Sequence, residues 1–174
     1  KGPNTGGMGV IAPNPYVTPE VMESFNKDIL IPTLKGIQEE ALDFTGIIFF
    51  GIMITSKGVY LLEYNVRLGD PETEAVIPLM ETDLIDLIDA ALEGRLSEFN
   101  IRWKIGHACS VVGVSGGYPG SYKRGYTIEI QNNPAEKVFI AGASLAEGKL
   151  ITSGGRVLCA TALGATKEEA YNKA

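Results

Sequence analysis

The chain has 174 residues and a formal net charge of −6 at pH 7. Its hydrophobic share of 45% and charged share of 21% are typical of a globular protein with a buried core, and they exclude an intrinsically disordered chain. Because Lys and Arg are scattered rather than clustered, we expect no nucleic-acid partner. No apolar run approaches the roughly 18 residues of a membrane span and no signal peptide is visible, so we expect a cytoplasmic protein with no membrane partner.

The two cysteines, Cys109 and Cys159, lie in apolar, strand-like runs without a second Cys or a His at metal-binding spacing. This placement predicts buried, reduced thiols. The sequence starts at Lys1 in a Gly-rich segment and stops at Ala174, in what reads as the first turns of a helix. We therefore expect a piece of a larger protein.

The first elements are a loop and a helical region. Residues 1–15 contain many Gly and Pro, which is typical of a loop. A helix is predicted to follow, with Thr18 as its N-cap and Pro19 in its first turn. Apolar residues continue at helical spacing as far as Leu42, although Pro32 must kink or restart the helix, because it lacks a backbone N–H.

A hairpin and two helices come next. Segments 46–55 and 59–65 are rich in β-branched and aromatic residues, and the Ser-Lys-Gly sequence at 56–58 is typical of a turn. Together they predict an antiparallel hairpin. Beyond a polar loop, apolar spacing predicts a short helix over 72–80 and a longer one over 83–92.

The remaining sequence is dominated by predicted strands. Residues 96–106 show no clear period, and we place a domain boundary there. The predicted fold class is α+β: residues 1–100 combine an antiparallel sheet with helices, and residues 101–174 form a small, mostly-β domain truncated at its end. Its predicted strands, separated by Gly-rich turns, are 107–115, 126–130, 137–143, 149–152 and 156–162.

Glu63 and Asn65 stand at the end of the second hairpin strand, where alternation places their side chains on one face. A carboxylate beside an amide oxygen is a pair of hard ligands suited to Mg²⁺, which takes further ligands from water and substrate phosphates. Taken alone, this pair is more typical of an edge strand followed by a turn.

The next residues favour a phosphoryl-transfer site. Arg67 lies two positions further along, and the turn 69–73 carries Asp70 and Glu72 where a helix begins. Metal ligands, a cation and a helix N-terminus together neutralise the charge on a transferring phosphoryl group. The alternative interpretation is a loop held by ion pairs of Arg67 with Asp70 or Glu72, with Asp70 as the cap of the helix.

Two Gly-rich segments could bind an anion through their backbone N–H groups. Residues 1–9, KGPNTGGMG, lack the GK[ST] sequence of a P-loop. Two interpretations of this segment remain, a backbone N–H nest for an anion and a flexible loop. Residues 153–156, SGGR, are compatible with an anion nest or with a β-turn that carries an exposed Arg156.

The segment 63–75, EYNVRLGDPETEA, resembles the metal-binding strand and following loop of the phosphoribosylamine–glycine ligase family. Four further segments match that family in the right order: 1–9, 45–55, 117–125 and 152–164. The resemblance implies an ATP-grasp fold. It also implies a ligase of purine biosynthesis that joins glycine to 5-phosphoribosylamine, with ATP converted to ADP and phosphate through a glycyl phosphate.

The resemblance implies a metal site and a missing partner. Glu63 and Asn65 resemble the family's two ligands for Mg²⁺ or Mn²⁺, and ATP is the implied co-substrate. The match covers essentially the whole chain but only part of such an enzyme. The N-terminal part, which carries the phosphate-gripping loop and its Lys, lies upstream, so we expect no activity from this chain alone.

The resemblance also implies a substrate side. Arg67 and the turn formed by Asp70, Pro71 and Glu72 match residues that face glycine and the phosphoribosylamine. Our hypothesis is that Arg67 aligns the glycyl phosphate through bidentate hydrogen bonds from its guanidinium and that Asp70 holds an amine. The family's substrate-side loop matches five consecutive residues: Asn4, Thr5, Gly6, Gly7 and Met8.

Two other functions are compatible with the sequence. One is a different ATP-grasp carboxylate–amine ligase, which would share the metal pair but use another acceptor. The other is a non-catalytic, β-rich binding module in which Glu63 and Asn65 are ordinary surface residues.

Overall fold

The computed structural model describes residues 2–131 and 136–174. Helices and antiparallel strand pairs are mixed, as the sequence predicts for an α+β fold. The strands are β1 (Gly9–Ala12), β2 (Phe49–Thr55), β3 (Gly58–Asn65), β4 (His107–Val114), β5 (Glu136–Ile140), β6 (Ala143–Ala146), β7 (Lys149–Thr152) and β8 (Arg156–Gly164). The helices are α1 (Pro19–Phe25), α2 (Ile31–Glu39), α3 (Glu72–Leu79), α4 (Leu84–Leu92) and α5 (Lys167–Lys173), with a π-helical turn at Asn26–Leu30 and a 3-10 turn at Leu96–Glu98. Within the described residues, no helix is long and apolar enough to cross a membrane.

These elements form two compact units that do not follow the order of the chain. The first unit contains Lys1–Ala12, Asp70–Glu81 and Arg102–Ala174, and the second contains Pro13–Gly69 and Thr82–Ile101. The sequence led us to expect a single division near residue 100. The observed grouping differs because two segments from the first part of the chain complete the sheet and the core of the first unit.

The first unit is built around a four-stranded antiparallel sheet in the order β1-β4-β8-β5. Both α3 and α5 contact β4 and β8. Ala108 of β4 and Leu163 of β8 are paired, so their side chains lie on the same face of the sheet. They pack with Ala75 and Leu79 of α3 to form a buried core, in which Ala75 is fully inaccessible.

Strand β1 was not expected, because its residues fall within the segment predicted as a loop. Four residues flanked by Gly and Pro carry no periodic signal of their own. They form a strand because they pair with β4, where Val10 lies opposite Ser110 and Ala12 lies opposite Ala108. The prediction of a loop was therefore wrong for this segment, since a distant strand supplies the hydrogen bonds.

Two predicted strands also differ from the structure. Segment 126–130 is not a regular strand, although Thr127 forms a single bridge to β7 and neighbouring residues exchange backbone hydrogen bonds with it. Segment 137–143 is divided between β5 and β6. Gly142 lies at the break, so close to Gly154 that a Cβ on Gly142 would be 2.7 Å from the Gly154 Cα.

Both cysteines are buried in the sheet of the first unit as free thiols, with 3% of Cys109 and 4% of Cys159 exposed. Burial raises the pKa of both thiols, because the thiolate would lose its hydration. For Cys159, hydrogen bonds to Ser110 and Thr161 act in the opposite direction on the pKa. The prediction of buried, unpaired thiols is confirmed.

The second unit contains the predicted hairpin, in which β2 and β3 pair antiparallel around residues 56–57. An aromatic cluster joins α1 to the hairpin: the Phe25 and Phe50 ring centroids are 5.3 Å apart, and those of Phe50 and Tyr64 are 5.5 Å apart. The Tyr64 hydroxyl also forms a 2.8 Å hydrogen bond with the Thr33 hydroxyl of α2. These contacts lie on the Phe50–Tyr64 face of the hairpin, and Glu63 on the opposite face is exposed.

The helix restarts at Pro32, one of the two outcomes that the sequence predicts, because α2 begins at Ile31 with Pro32 in its first turn. Pro32 has no N–H to donate, and the helix before it widens into a π-helical turn in which the Ile31 N–H bonds to the Asn26 carbonyl oxygen. The predicted cap of α1 is also confirmed, because the Thr18 hydroxyl accepts the Val21 N–H at 3.4 Å.

Candidate active site

The end of β3 carries the two predicted metal ligands. Glu63 lies opposite Gly51 and Asn65 lies opposite Phe49, with a shift of register just beyond Gly51. Nδ2 of Asn65 donates a 3.1 Å hydrogen bond to Oε1 of Glu63. The two side chains therefore lie on one face of the hairpin, as strand alternation predicts.

Arg67 is connected to this pair. Its Nη2 donates to Oδ1 of Asn65 at 2.9 Å, and its Nη1 donates to the Leu68 carbonyl oxygen at 2.9 Å. The second unit therefore brings Glu63, Asn65 and Arg67 together in one chain of hydrogen bonds. Glu63 and Arg67 are exposed and Asn65 is half-buried, so a ligand can reach the group.

Gly51 makes room for Glu63, and sequence reasoning did not identify it. A Cβ at Gly51 would lie 2.9 Å from Cγ of Glu63, well inside the separation of packed carbon atoms. A larger residue would force the Glu63 side chain away from Asn65. The register of the hairpin, which places Gly51 opposite Glu63, is the signal that could have revealed it.

The oxygen atoms at this site fit a divalent cation. Glu63 offers Oε2, and Oδ1 of Asn65 keeps a second lone pair after accepting from Arg67. No group of three or more His, Cys, Asp or Glu is placed to hold a metal ion in residues 2–131 and 136–174. The pair therefore suits an ion such as Mg²⁺ that takes most ligands from phosphates and water, rather than one enclosed by protein.

The first unit contains the other predicted site residues, and the Gly-rich loop and the Asp70 turn are in contact there. A Cβ on Gly7 would lie 2.8 Å from the Asp70 carbonyl oxygen and would also collide with Cδ of Pro71. Pro71 is fully buried and directly precedes Glu72, the first residue of α3. The loop and the turn therefore meet so closely that only Gly fits at this position.

The remaining residues of the loop lie at the surface. Asn4 and Thr5 are exposed, and Met8 is 41% exposed. The Met8 carbonyl oxygen accepts the Val112 N–H at 3.1 Å, which ties the end of the loop to β4. The side chains of this loop are accessible to a ligand, while its backbone is anchored to the sheet.

Arg156 binds Asp70, a contact that sequence reasoning did not identify. Its Nη1 donates to Oδ1 of Asp70 at 2.9 Å, and its Nη2 donates to Oδ2 at 2.8 Å. The ion-pair partner of Asp70 is therefore Arg156 and not Arg67, which corrects one alternative from the sequence. The cap position of α3 is occupied by Pro71 and not by Asp70, which corrects the other. The SGGR segment at 153–156 was compatible with an anion nest or with a β-turn that carries an exposed Arg156, and the anion that the Arg156 side chain contacts is the Asp70 carboxylate.

Comparison with protein families identifies both parts of the chain. Residues 1–73 match the phosphoribosylglycinamide synthetase ATP-grasp (A) domain, and residues 108–174 match the phosphoribosylglycinamide synthetase C domain. The chain belongs to the phosphoribosylglycinamide synthetase family. The resemblance inferred from the motifs is therefore confirmed, and with it the ATP-grasp fold.

Individual relatives agree with this assignment. The phosphoribosylamine–glycine ligase of Clostridium acetobutylicum is 62% identical over 174 residues, which is 100% of this chain and 42% of that protein. The crystal structure of the phosphoribosylamine–glycine ligase from Thermotoga maritima matches with a TM-score of 0.85 and 35% identity, over 99% of this chain and 43% of the other. The chain thus spans less than half the length of these relatives.

A more distant structure shares the fold alone. The biotin carboxylase of Campylobacter jejuni matches with a TM-score of 0.64 at 13% identity, over 95% of this chain and 36% of that one. The two chains therefore share an arrangement of helices and strands at low sequence identity, and a shared fold does not by itself define the substrates.

Proposed function

We propose that this chain is the metal-binding and substrate-side portion of a phosphoribosylamine–glycine ligase of purine biosynthesis. The complete enzyme would join glycine to 5-phosphoribosylamine and convert ATP to ADP and phosphate. The observation that carries the proposal is the hydrogen-bonded group of Glu63, Asn65 and Arg67 at the end of β3, in a chain whose family matches cover both of its parts.

The proposed reaction has two steps. The glycine carboxylate attacks the terminal phosphorus of ATP, which gives glycyl phosphate and ADP. The phosphoribosylamine nitrogen then attacks the acyl carbon, phosphate leaves and the nitrogen loses a proton. Bound Mg²⁺ or Mn²⁺ would neutralise charge on the ATP phosphates, and we assign Oε2 of Glu63 and Oδ1 of Asn65 to hold it.

Arg67 suits the acyl phosphate. A guanidinium has five N–H donors, and the contacts with Asn65 and the Leu68 carbonyl oxygen fix its plane while leaving donors for a carboxylate or phosphate oxygen. Asp70 suits an amine. A carboxylate has about four acceptor positions, so Asp70 can accept two hydrogen bonds from Arg156 and still accept from a substrate nitrogen.

The direct test is a hybrid enzyme. The portion of the Clostridium acetobutylicum ligase that matches this chain would be replaced by the 174 residues, since the two are 62% identical there. We expect ADP release that requires both glycine and 5-phosphoribosylamine, and none from the 174-residue chain by itself. The complete parent protein, expressed from its own coding sequence, provides the same measurement without a hybrid junction.

The alternatives give different results in the same assay. ADP release that requires another carboxylate or another amine would assign a different ATP-grasp ligase. A folded parent protein without any ATP turnover would support a non-catalytic module and overturn the proposal.

A further inference from the structure

The Arg156 guanidinium contacts two other segments of the first unit. Besides its two bonds to the Asp70 carboxylate, its Nη1 donates to the Asp70 carbonyl oxygen at 3.2 Å and to the Gly7 carbonyl oxygen at 3.3 Å. One side chain from β8 thus binds both the Gly-rich loop and the turn before α3. Its side chain is 26% exposed, against 54% for Asp70, so the cation is shielded while part of the carboxylate still faces solvent.

The loop backbone lies against this cation. A Cβ on Gly6 would lie 2.8 Å from Cζ and Nε of Arg156, so only a residue without a side chain can approach so closely. The Gly6 N–H donates to the Tyr118 hydroxyl at 3.1 Å. The Tyr118 ring in turn contacts Gly155, where a Cβ would collide with it. Two side chains, Arg156 and Tyr118, therefore hold the backbone of the Gly-rich loop.

We propose that Arg156 is a positioning residue for the ligase reaction: it fixes the Asp70 carboxylate and the Gly6–Gly7 backbone as one rigid surface for glycine and the phosphoribosylamine. This inference rests on the proposed function. A two-point bond between a guanidinium and a carboxylate fixes the orientation of the carboxylate as well as its place, which an ammonium group cannot do. Arg156 acts through Asp70 and the loop, not on the reacting atoms.

The test uses the complete parent enzyme and two substitutions, Arg156→Lys and Arg156→Met. We expect kcat/KM for glycine and for 5-phosphoribosylamine to fall about 10- to 150-fold in both variants, as for the loss of a charge-assisted hydrogen bond. The KM for ATP should stay unchanged. Arg95→Met is the control, because Arg95 forms exposed ion pairs with Glu93 and Glu98 in the other unit and should leave all three KM values unchanged.

Two further variants separate positioning from a general effect on folding. The Asp70→Asn/Arg156→Met double variant should lose less activity than the two single losses combined, because both substitutions break the same Arg156–Asp70 contact. Tyr118→Phe keeps the ring but removes the acceptor of the Gly6 N–H, so it should fold and lower kcat/KM for the same two substrates to a smaller extent.

The outcomes are distinct. Equal losses of kcat/KM for all three substrates, additive losses in the double variant, or full activity in Arg156→Lys would overturn the positioning role. If the unaltered parent enzyme does not ligate glycine, the proposed function itself fails, and this inference fails with it for a different reason.

Discussion

The side-chain amide of Asn65 donates a 3.1 Å hydrogen bond to the carboxylate of Glu63, across the one residue that separates them in β3. Strand geometry explains the contact, because residues two apart point to the same face. The same amide oxygen accepts from Arg67. Acid, amide and cation are thus aligned before any ligand binds, which limits the reorganisation that binding requires.

The proposed metal ligands can be tested by removing one charge. In the complete enzyme, Glu63→Gln should abolish most turnover, because a neutral amide binds a divalent cation much more weakly than a carboxylate. Asn65→Ala should act in the same direction. Glu23→Gln, at an exposed position in α1, is the matched control and should be neutral. Near-normal kcat in Glu63→Gln would remove these residues from the metal site.

Gly51→Ala should damage activity more than stability. The added Cβ would lie 2.9 Å from Cγ of Glu63, so the acidic side chain must rotate away from Asn65. We expect a higher Mg²⁺ or Mn²⁺ requirement for ADP release. Gly36→Ala in α2 meets open space and should instead stabilise the fold by about 0.5–1 kcal/mol. Equal metal titrations for the two variants would contradict the role of Gly51.

Arg67→Lys should not preserve activity, although it preserves charge. An ammonium cannot hold Asn65 and the Leu68 carbonyl oxygen while also bonding to an acyl phosphate. Loss of one charge-assisted hydrogen bond corresponds to about a 10- to 150-fold lower kcat/KM for glycine. Steady-state kinetics and thermal unfolding should be measured together. Reduced stability with unchanged kcat/KM would make Arg67 a structural residue only.

The buried hydroxyl pair Ser110–Thr161 should be coupled in stability. The two oxygens are 2.5 Å apart and the residues are 1% and 2% exposed. Ser110→Ala or Thr161→Val leaves a buried hydroxyl without that partner, so each should cost about 1–3 kcal/mol in the free energy of unfolding. The double variant should cost less than the sum, measured by urea unfolding. Ser144→Ala, exposed in β6, is the control and should change little; additive losses would refute the coupling.

The buried thiols predict a pH dependence of stability. Burial raises the pKa of Cys109 and Cys159 in the folded chain. Above the ordinary thiol pKa of about 8.5, the unfolded chain therefore loses protons that the folded chain keeps, and the free energy of unfolding falls as pH rises. Below that pH the stabilising contribution of the two protonated thiols to the free energy of unfolding is fully present. The Cys109→Ala/Cys159→Ala variant should show a smaller fall between pH 8 and 10; an identical slope would contradict the prediction.

Local sequence patterns determined the elements that make their contacts nearby. Thr18 and Pro19 define the start of α1, a π-helical turn directly precedes the α2 segment that contains Pro32, and the turn at 56–57 sets the hairpin. The spacing of Glu63 and Asn65 then places both on one face without any tertiary information. These features depend on interactions within a few residues, and such interactions can be inferred from the order of residue types.

Tertiary structure alone decided the contacts between distant segments. The sequence could not show that residues 9–12 pair with β4, because a short strand is stabilised only by its partner's hydrogen bonds. Nor could it show that Arg156 binds Asp70, since the two are 86 positions apart and each has a plausible local role. Folding of the sheet brings β8 beside the turn before α3, and the ion pair follows from that proximity.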